Sequence, residues 1–280
     1  MSRKLLRKIF TTVERMANKR GYRISWVPPI IMERPQAELR LSVEFAIAHL
    51  MLSKKDIYFV QIGANDGVTN DPMHKFVTTF GWHGVLVEPG PVAFERLKAN
   101  YENDGNLTFV NAAISEKDGF RTLYTVRIDD GTFRGAHMYS SFKKEVILRQ
   151  TRWVPDIADR IEEIQVRCIS METLLREVGA AHVDILQIDT EGYDFAILKM
   201  IDFSKFQPSI ICYEHAHLSK SDMQAAAELL IGQGYRLARD NLDTLAYQPI
   251  ASFGWRAPNN RANHPSSVIA SEMSSAALGR

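Results

Sequence analysis

Short segments rich in Val and Ile alternate along this chain with helix-patterned stretches, and that alternation constrains the fold more than any other feature. The segments are YFVQIG (58–63), GVLVEP (84–89), LTFVNAAI (107–114), VDILQID (183–189) and SIICYEH (209–215). Apolar runs of this kind suit strands buried on both faces, as in a parallel sheet with helices packed on either side. YRLARD (235–240) and TLAYQ (244–248) follow, separated only by Asn241, Leu242 and Asp243. No crossover fits in three residues, so these two pair as an antiparallel hairpin. The expectation is an α/β fold with seven mostly parallel strands ending in that hairpin.

Helix punctuation agrees. Asp71-Pro72 reads as a cap with proline at the first helical position, and Gly81 as the stop. Pro91 opens the next helix, Ser170 caps a short one, and Ser219 with Asp222 resembles a capping box. About 70 residues separate the third and fourth strands, spanning 115–183. They include RTLYTVRI (121–128), a polar loop with Ser140 and Ser141, a helical 142–150 and IQVRCIS (164–170). An insertion at a sheet's carboxyl edge shapes a pocket or a partner surface, so 115–183 is read as a substrate lid. The domain runs from 36 to 250, and residues 251–280 read as a weakly ordered tail.

Residues 1–35 form an extension of different character. Its first 23 residues hold eight Lys or Arg against one acid, Glu14, with Leu5, Leu6, Ile9, Phe10, Val13 and Met16 at helical spacing. Such a basic amphipathic helix either packs on its own domain or a second subunit, making a homo-oligomer, or attaches to an anionic membrane surface. Both readings stay open. Over all 280 residues, 34 Lys and Arg nearly balance 33 Asp and Glu, which argues against nucleic acid as partner. Cys168 and Cys212 lie inside apolar strand patterns and read as inert core thiols. They cannot build a disulfide framework, so a reducing, cytoplasmic location is expected. Trp82, Trp153 and Trp255 read as core packing, with sugar stacking by Trp153 as an alternative.

The first strand ends in Gly63-Ala64-Asn65-Asp66-Gly67, and Glu88 ends the second, 21 residues beyond Gly67. Glycines let a backbone approach a ligand closely, and an acid at the neighbouring strand tip can accept both hydroxyls of a ribose. A dinucleotide fingerprint would need glycine where this chain has Asn65 and Val68. A single nucleoside with a small zwitterionic tail, S-adenosylmethionine, fits better than NAD.

Asp189 and Glu191 follow the fourth strand, two residues apart, and Glu214-His215-Ala216-His217 ends the fifth. A carboxylate or His beside an acceptor hydroxyl can take its proton during methyl transfer. Asp189 is the first choice for that role, with Glu191 and His215 assisting, while His217 reads as a solvated loop residue. Asp189, Glu191 and His215 could instead hold a divalent cation, magnesium or manganese rather than zinc.

The blocks VQIGANDG (60–67), NDPMHKF (70–76), VLVEPGP (85–91), FVNAAIS (109–115) and ILQIDTEGYDFAIL (185–198) resemble the FkbM family of S-adenosylmethionine-dependent methyltransferases. The resemblance spans roughly residues 56–215 and implies a Rossmann-like class I methyltransferase fold. It implies that Gly63, Ala64, Asn65, Asp66 and Gly67 cradle the methionine end of the cofactor. Glu88 would hold the ribose, and Asn111 and Ala112 would lie beside the adenine. Where the family usually has an acid opening the glycine motif, this chain has Gln61. Family members commonly methylate hydroxyls on sugars or glycosylated products, so a saccharide or glycoconjugate substrate is expected. A nucleotide-dependent oxidoreductase and a non-catalytic S-adenosylmethionine-binding module remain alternatives.

Overall fold

The computed structural model describes residues 43–127, 139–152, 154–239 and 242–248. The basic extension, the tail, Trp153 and Trp255 lie outside the described residues. All described elements belong to one unit, Arg40–Arg280. Among them no helix is long and apolar enough to cross a membrane.

Helix α1 (Val43–Ser53) leads into β1 (Tyr58–Ile62), followed by α2 (His74–Phe80), β2 (His83–Val87), α3 (Pro91–Asn100) and β3 (Leu107–Val110). Beyond the insertion come β8 (Ile185–Ile188), α7 (Asp194–Met200), β9 (Ile210–Glu214), α8 (Lys220–Gly232), β10 (Arg236–Arg239) and β11 (Asp243–Tyr247). These seven strands form one sheet in the order β10-β11-β9-β8-β1-β2-β3. The first five in sequence are parallel, and β11 inserts antiparallel between β9 and β10. This is the mostly parallel seven-stranded sheet with a terminal antiparallel hairpin expected from the sequence.

Both faces of the sheet are buried, as the unbroken apolar runs require. Val60, Ile62, Val85, Val87, Leu186, Ile188 and Ile211 pack on one side with Leu174, Ile197, Ala226 and Leu230. Phe59, Leu86, Ile185 and Ile210 pack on the other with Ile47, Leu50, Val77 and Leu97. Consecutive strand residues fall alternately into the two clusters, the period-2 geometry of a pleated strand.

The apolar run 107–114 is not one strand. It breaks at Asn111, where Ala112 N donates back to Val110 O, and Ala113–Ile114 becomes β4 of a second sheet. That sheet is built from the insertion: β5 (Gly119–Val126), β6 (Ser140–Ser141) and β7 (Ile161–Ile169), in the order β4-β7-β5-β6. Pairing with Cys168 and Ile169 pulls Ala113 and Ile114 off the large sheet. Short helices α4 (Lys144–Leu148), α5 (Ile157–Arg160) and α6 (Met171–Glu177) lie within the insertion, α6 after the last strand of the second sheet.

Ser170 caps α6 as expected, its Oγ accepting from Thr173 N at 3.1 Å. Ser219 Oγ likewise accepts from Asp222 N ahead of α8. Gly81 ends α2 at φ 62°, a left-handed conformation that favours glycine. The start of α2 differs from expectation, because the helix begins at His74 rather than after Pro72. Asp71 Oδ1 still accepts from Met73 N and His74 N. Cys168 and Cys212 are buried free thiols, and burial raises both their pKa values.

Candidate active site

Because β1, β2, β8 and β9 run parallel, the residues that follow them gather at one edge of the sheet, where open α/β sheets bind ligands. A cleft there encloses about 950 Å³ not filled by atoms, its open mouth included, and Gly63, Asn65, Glu88, Ala112, Asp189 and Glu191 border it. The insertion supplies one wall through Leu123, Ser140, Ser141 and Phe142.

The loops after β1 and β8 touch through their backbones. Gly63 has φ 80°, and a Cβ on it would be driven into the carbonyl oxygen of Asp189, so no other residue fits without moving one loop. Glu88 is 5% exposed. Its Oε2 accepts from Asn65 N at 2.9 Å and its Oε1 from Gly90 N at 2.7 Å. One carboxylate thereby ties the glycine loop to the turn after β2. Its pKa is pushed up to about 7, since burial outweighs the two peptide hydrogen bonds.

Three residues expected to touch the cofactor do other work. Asp66 accepts from Val68 N, Thr69 N and Thr69 Oγ1, closing the loop on itself. Gly67 has φ 72° and packs under α3, where a Cβ would meet Leu97 and Tyr101. Asn111 donates from Nδ2 to Glu88 O and Pro89 O, so its amide secures the turn after β2. None of the three borders the cleft, whereas Ala64 and Ala112 do.

On the acidic side the structure corrects the expected set. β9 ends at Glu214, so the two-residue alternation that would align His215 with His217 stops there. His215 N donates to Leu242 O, and its Nδ1 lies 3.1 Å from Thr244 Oγ1, away from the cleft. Burial, then Arg239, lowers the His215 pKa. A turn at 215–218 carries His217 back to Glu191 instead, with Nε2 3.0 Å from Glu191 Oε2 and 3.7 Å from Glu214 Oε1. The triad Asp189, Glu191 and His215 is therefore not assembled. Glu191, Glu214 and His217 are.

Glu191 has φ 51°, strained for a residue with a side chain, and Gly192 has φ 94°; this turn is held from several directions. Ser141 Oγ donates to Glu191 O, and Lys143 Nζ to Gly192 O. Asp194 Oδ2 accepts from Thr190 Oγ1 and Gly192 N. Fully buried, Asp194 has its pKa raised to about 7. Asp194 was not among the residues expected at the site, although its place three residues past Glu191 in ILQIDTEGYD was a usable signal. Asp189 is exposed toward the cleft. The protein packed around its carboxyl, then the charges of Asp194 and Glu191, push its pKa above the usual range.

Comparison with known proteins bears on what this cleft serves. The family model described as the methyltransferase FkbM domain matches residues 61–237, more than half of the chain. The chain belongs to the FkbM methyltransferase family. Among proteins with curated functions, none matches this FkbM-family chain in sequence. It is similar to a solved methyltransferase FkbM from Methylobacillus flagellatus KT, with 11% identity and a TM-score of 0.44, covering 69% of this chain and 44% of that one. The FkbM-family chain thus spans less than half the length of that relative. It is also similar to the N-terminal domain of human METTL16, at 13% identity and a TM-score of 0.41, covering 83% of this chain and 77% of that one. A third likeness is to precorrin-6y C5,15-methyltransferase from Geobacter metallireducens GS-15, at 12% identity and a TM-score of 0.38, covering 76% and 93%.

The methyl donor that the family implies finds matching groups in this cleft. Gln61 and Gln187 are cross-strand partners on β1 and β8, 4% and 2% exposed, and both border the cleft. Gln61 Nε2 donates to Asp71 Oδ2, while Gln61 Oε1 and Gln187 Oε1 have no hydrogen-bond partner among the described residues. Burying such acceptors unpaired costs about 1–3 kcal/mol each, which an N–H donor in the cleft would recover. The ammonium of a methionine tail is such a donor, and Asp71 supplies the negative charge that Gln61 lacks. Glu88 presents acceptors for a ribose diol, and Gly63 provides bare backbone. The residues fit S-adenosylmethionine.

Proposed function

We propose that this FkbM-family chain is an S-adenosylmethionine-dependent O-methyltransferase acting on a hydroxyl of a saccharide or glycoconjugate, with the insertion as substrate lid. The observation that carries this reading is the position of Asp189. Its backbone abuts Gly63 in the cofactor half of the cleft, and its exposed side chain borders the same space. When bound, S-adenosylmethionine supplies an electrophilic methyl group. Asp189 would receive the acceptor's hydroxyl proton as the methyl's C–S bond breaks and its C–O bond forms, with S-adenosylhomocysteine as the leaving group. The upward direction of the Asp189 pKa favours proton uptake. Gly63 sets how near the two halves approach, and Asp194 holds the loop that carries Glu191. Support for a sugar comes from the polar wall of Thr190, Ser140 and Ser141 beside Phe142 and Tyr193, whose rings meet edge to face at 5.1 Å. Hydroxyls match the former and an apolar sugar face the latter.

The test is transfer of labelled methyl groups to extracted glycans and glycolipids, with mass spectrometry of the product and Asp189→Asn in parallel. The variant should bind S-adenosylhomocysteine normally and lose about 10²–10⁴-fold in kcat, the range of general-base catalysis. Undiminished turnover would remove Asp189 from its role. Label found on nitrogen or carbon rather than oxygen would overturn the acceptor class.

A further inference from the structure

Beside the cleft, side chains from the loop after β8, the end of β9 and the turn that follows it converge. Glu191, Glu214 and His217 each bring one ligand atom to within 4.8 Å of the others. Glu214 is 9% exposed, its Oε2 has no hydrogen-bond partner among the described residues, and its Oε1 lies 3.7 Å from His217 Nε2, beyond hydrogen-bond range. A carboxylate this buried with neither oxygen hydrogen-bonded is costly unless it takes up a proton or a cation. His217 alone does not answer, because its Nε2 sits closer to Glu191 Oε2, at 3.0 Å.

We infer that Glu191, Glu214 and His217 hold a divalent cation at the edge of the cleft. Ligands bound at about 2.0–2.2 Å stand roughly 3.0–3.5 Å apart around an octahedral or tetrahedral ion. The 3.0 and 3.7 Å separations from His217 Nε2 come within a few tenths of an ångström of that range. Two carboxylates and one imidazole suit manganese or a similar divalent metal over a thiophilic one. Three protein ligands leave positions open for water or a substrate oxygen.

The loop geometry serves such a site. Gly192 lets His217 approach, since a Cβ there would lie 3.3 Å from His217 Cβ. Ser141 and Lys143 of the insertion grip the carbonyls of Glu191 and Gly192, so the wall over the substrate and the ion's ligand loop are one mechanical unit. Because Glu191 also borders the cleft, the ion would face the acceptor hydroxyl, lower its pKa and orient it, while Asp189 takes the proton. That role rests on the O-methyl transfer reading. Cation binding itself does not.

The full chain is titrated with Mn²⁺ alone and followed by electron paramagnetic resonance, with S-adenosylhomocysteine calorimetry on the same samples. One bound Mn²⁺ per chain that broadens the His217 ring resonances in NMR is expected. Glu214→Gln and His217→Gln should weaken Mn²⁺ at least about 100-fold, since even outer-shell changes cost about 10–100-fold, while S-adenosylhomocysteine binds as in the parent. No Mn²⁺ binding by a chain that still binds S-adenosylhomocysteine would overturn the ion and leave the methyltransferase reading intact. So would Mn²⁺ affinity unchanged in both variants. Mn²⁺ bound at this triad by a folded chain that ignores S-adenosylhomocysteine would uphold the ion and sink the methyltransferase reading.

Discussion

Glu88 is an acid in an apolar place, held by two peptide N–H groups and raised to about 7 by burial. Its folded pKa lies above the ordinary 4.5, so its effect on the ligand-free chain has a definite sign. The contribution to stability is full below the unfolded value and is lost as pH rises toward 7, by about 3 kcal/mol. A ribose diol donates hydrogen bonds and prefers the carboxylate, so S-adenosylhomocysteine should bind more tightly as pH rises through 7 and level off above it. Glu88→Gln should flatten that dependence in calorimetry and weaken binding at high pH. Glu88 was legible in the sequence because an acid ending a buried apolar strand is costly without a purpose. The paired glutamines 61 and 187 were not, since their meeting depends on the register between two strands more than 120 residues apart. Asp66, Gly67 and Asn111 lie in segments of the right pattern, but Asp66 bonds its own loop, Gly67 packs under α3 and Asn111 bonds the turn after β2. Motif position does not say which way a side chain points.

At the scale of elements, local signals were reliable where their partners sit within a turn. Ser170, Gly81, Pro91 and Ser219 mark helix ends in the structure as they do in the sequence. The Ser170 cap reaches further than its own helix. Its N donates to Asp118 Oδ1 at 2.7 Å, and Thr173 Oγ1 donates to Asp118 Oδ2, tying α6 to the turn before β5. Those bonds, the Ser170 peptide foremost, lower the Asp118 pKa. Ser170→Ala should cost about 1 kcal/mol, a drop in Tm of about 2–4 °C for a domain of this size. Calorimetric scanning measures it, and S-adenosylhomocysteine affinity should not change. The break at Asn111 had only a weak local signal, because a single Asn does not by itself end the otherwise strand-like run LTFVNAAI. Residues more than 50 positions away, Cys168 and Ile169, draw Ala113 and Ile114 into the second sheet.

At the scale of the whole molecule, the cleft forms only when the loops after β1, β2 and β8 and the insertion are in place together, so a ligand there should stabilise the domain as a unit. S-adenosylhomocysteine at 100 times its Kd should add about 2.7 kcal/mol and raise Tm by about 5–10 °C. NAD at equal concentration should leave Tm unchanged, whereas a rise with NAD alone would favour the oxidoreductase alternative. The sequence by itself determined the layered α/β architecture, the terminal hairpin, most helix ends and the tips that carry Gly63, Glu88 and Asp189. Each of these depends on periodicity or on contacts a few residues apart, which a linear pattern records. Only the tertiary structure decided that His217 rather than His215 joins Glu191 and Glu214, and that the insertion grips the Glu191 loop. Those outcomes follow from where the chain turns once a strand has ended. There, hydrogen bonds between residues 29 to 50 positions apart, such as Thr244 with His215 and Ser141 with Glu191, select one conformation among many that the local sequence permits.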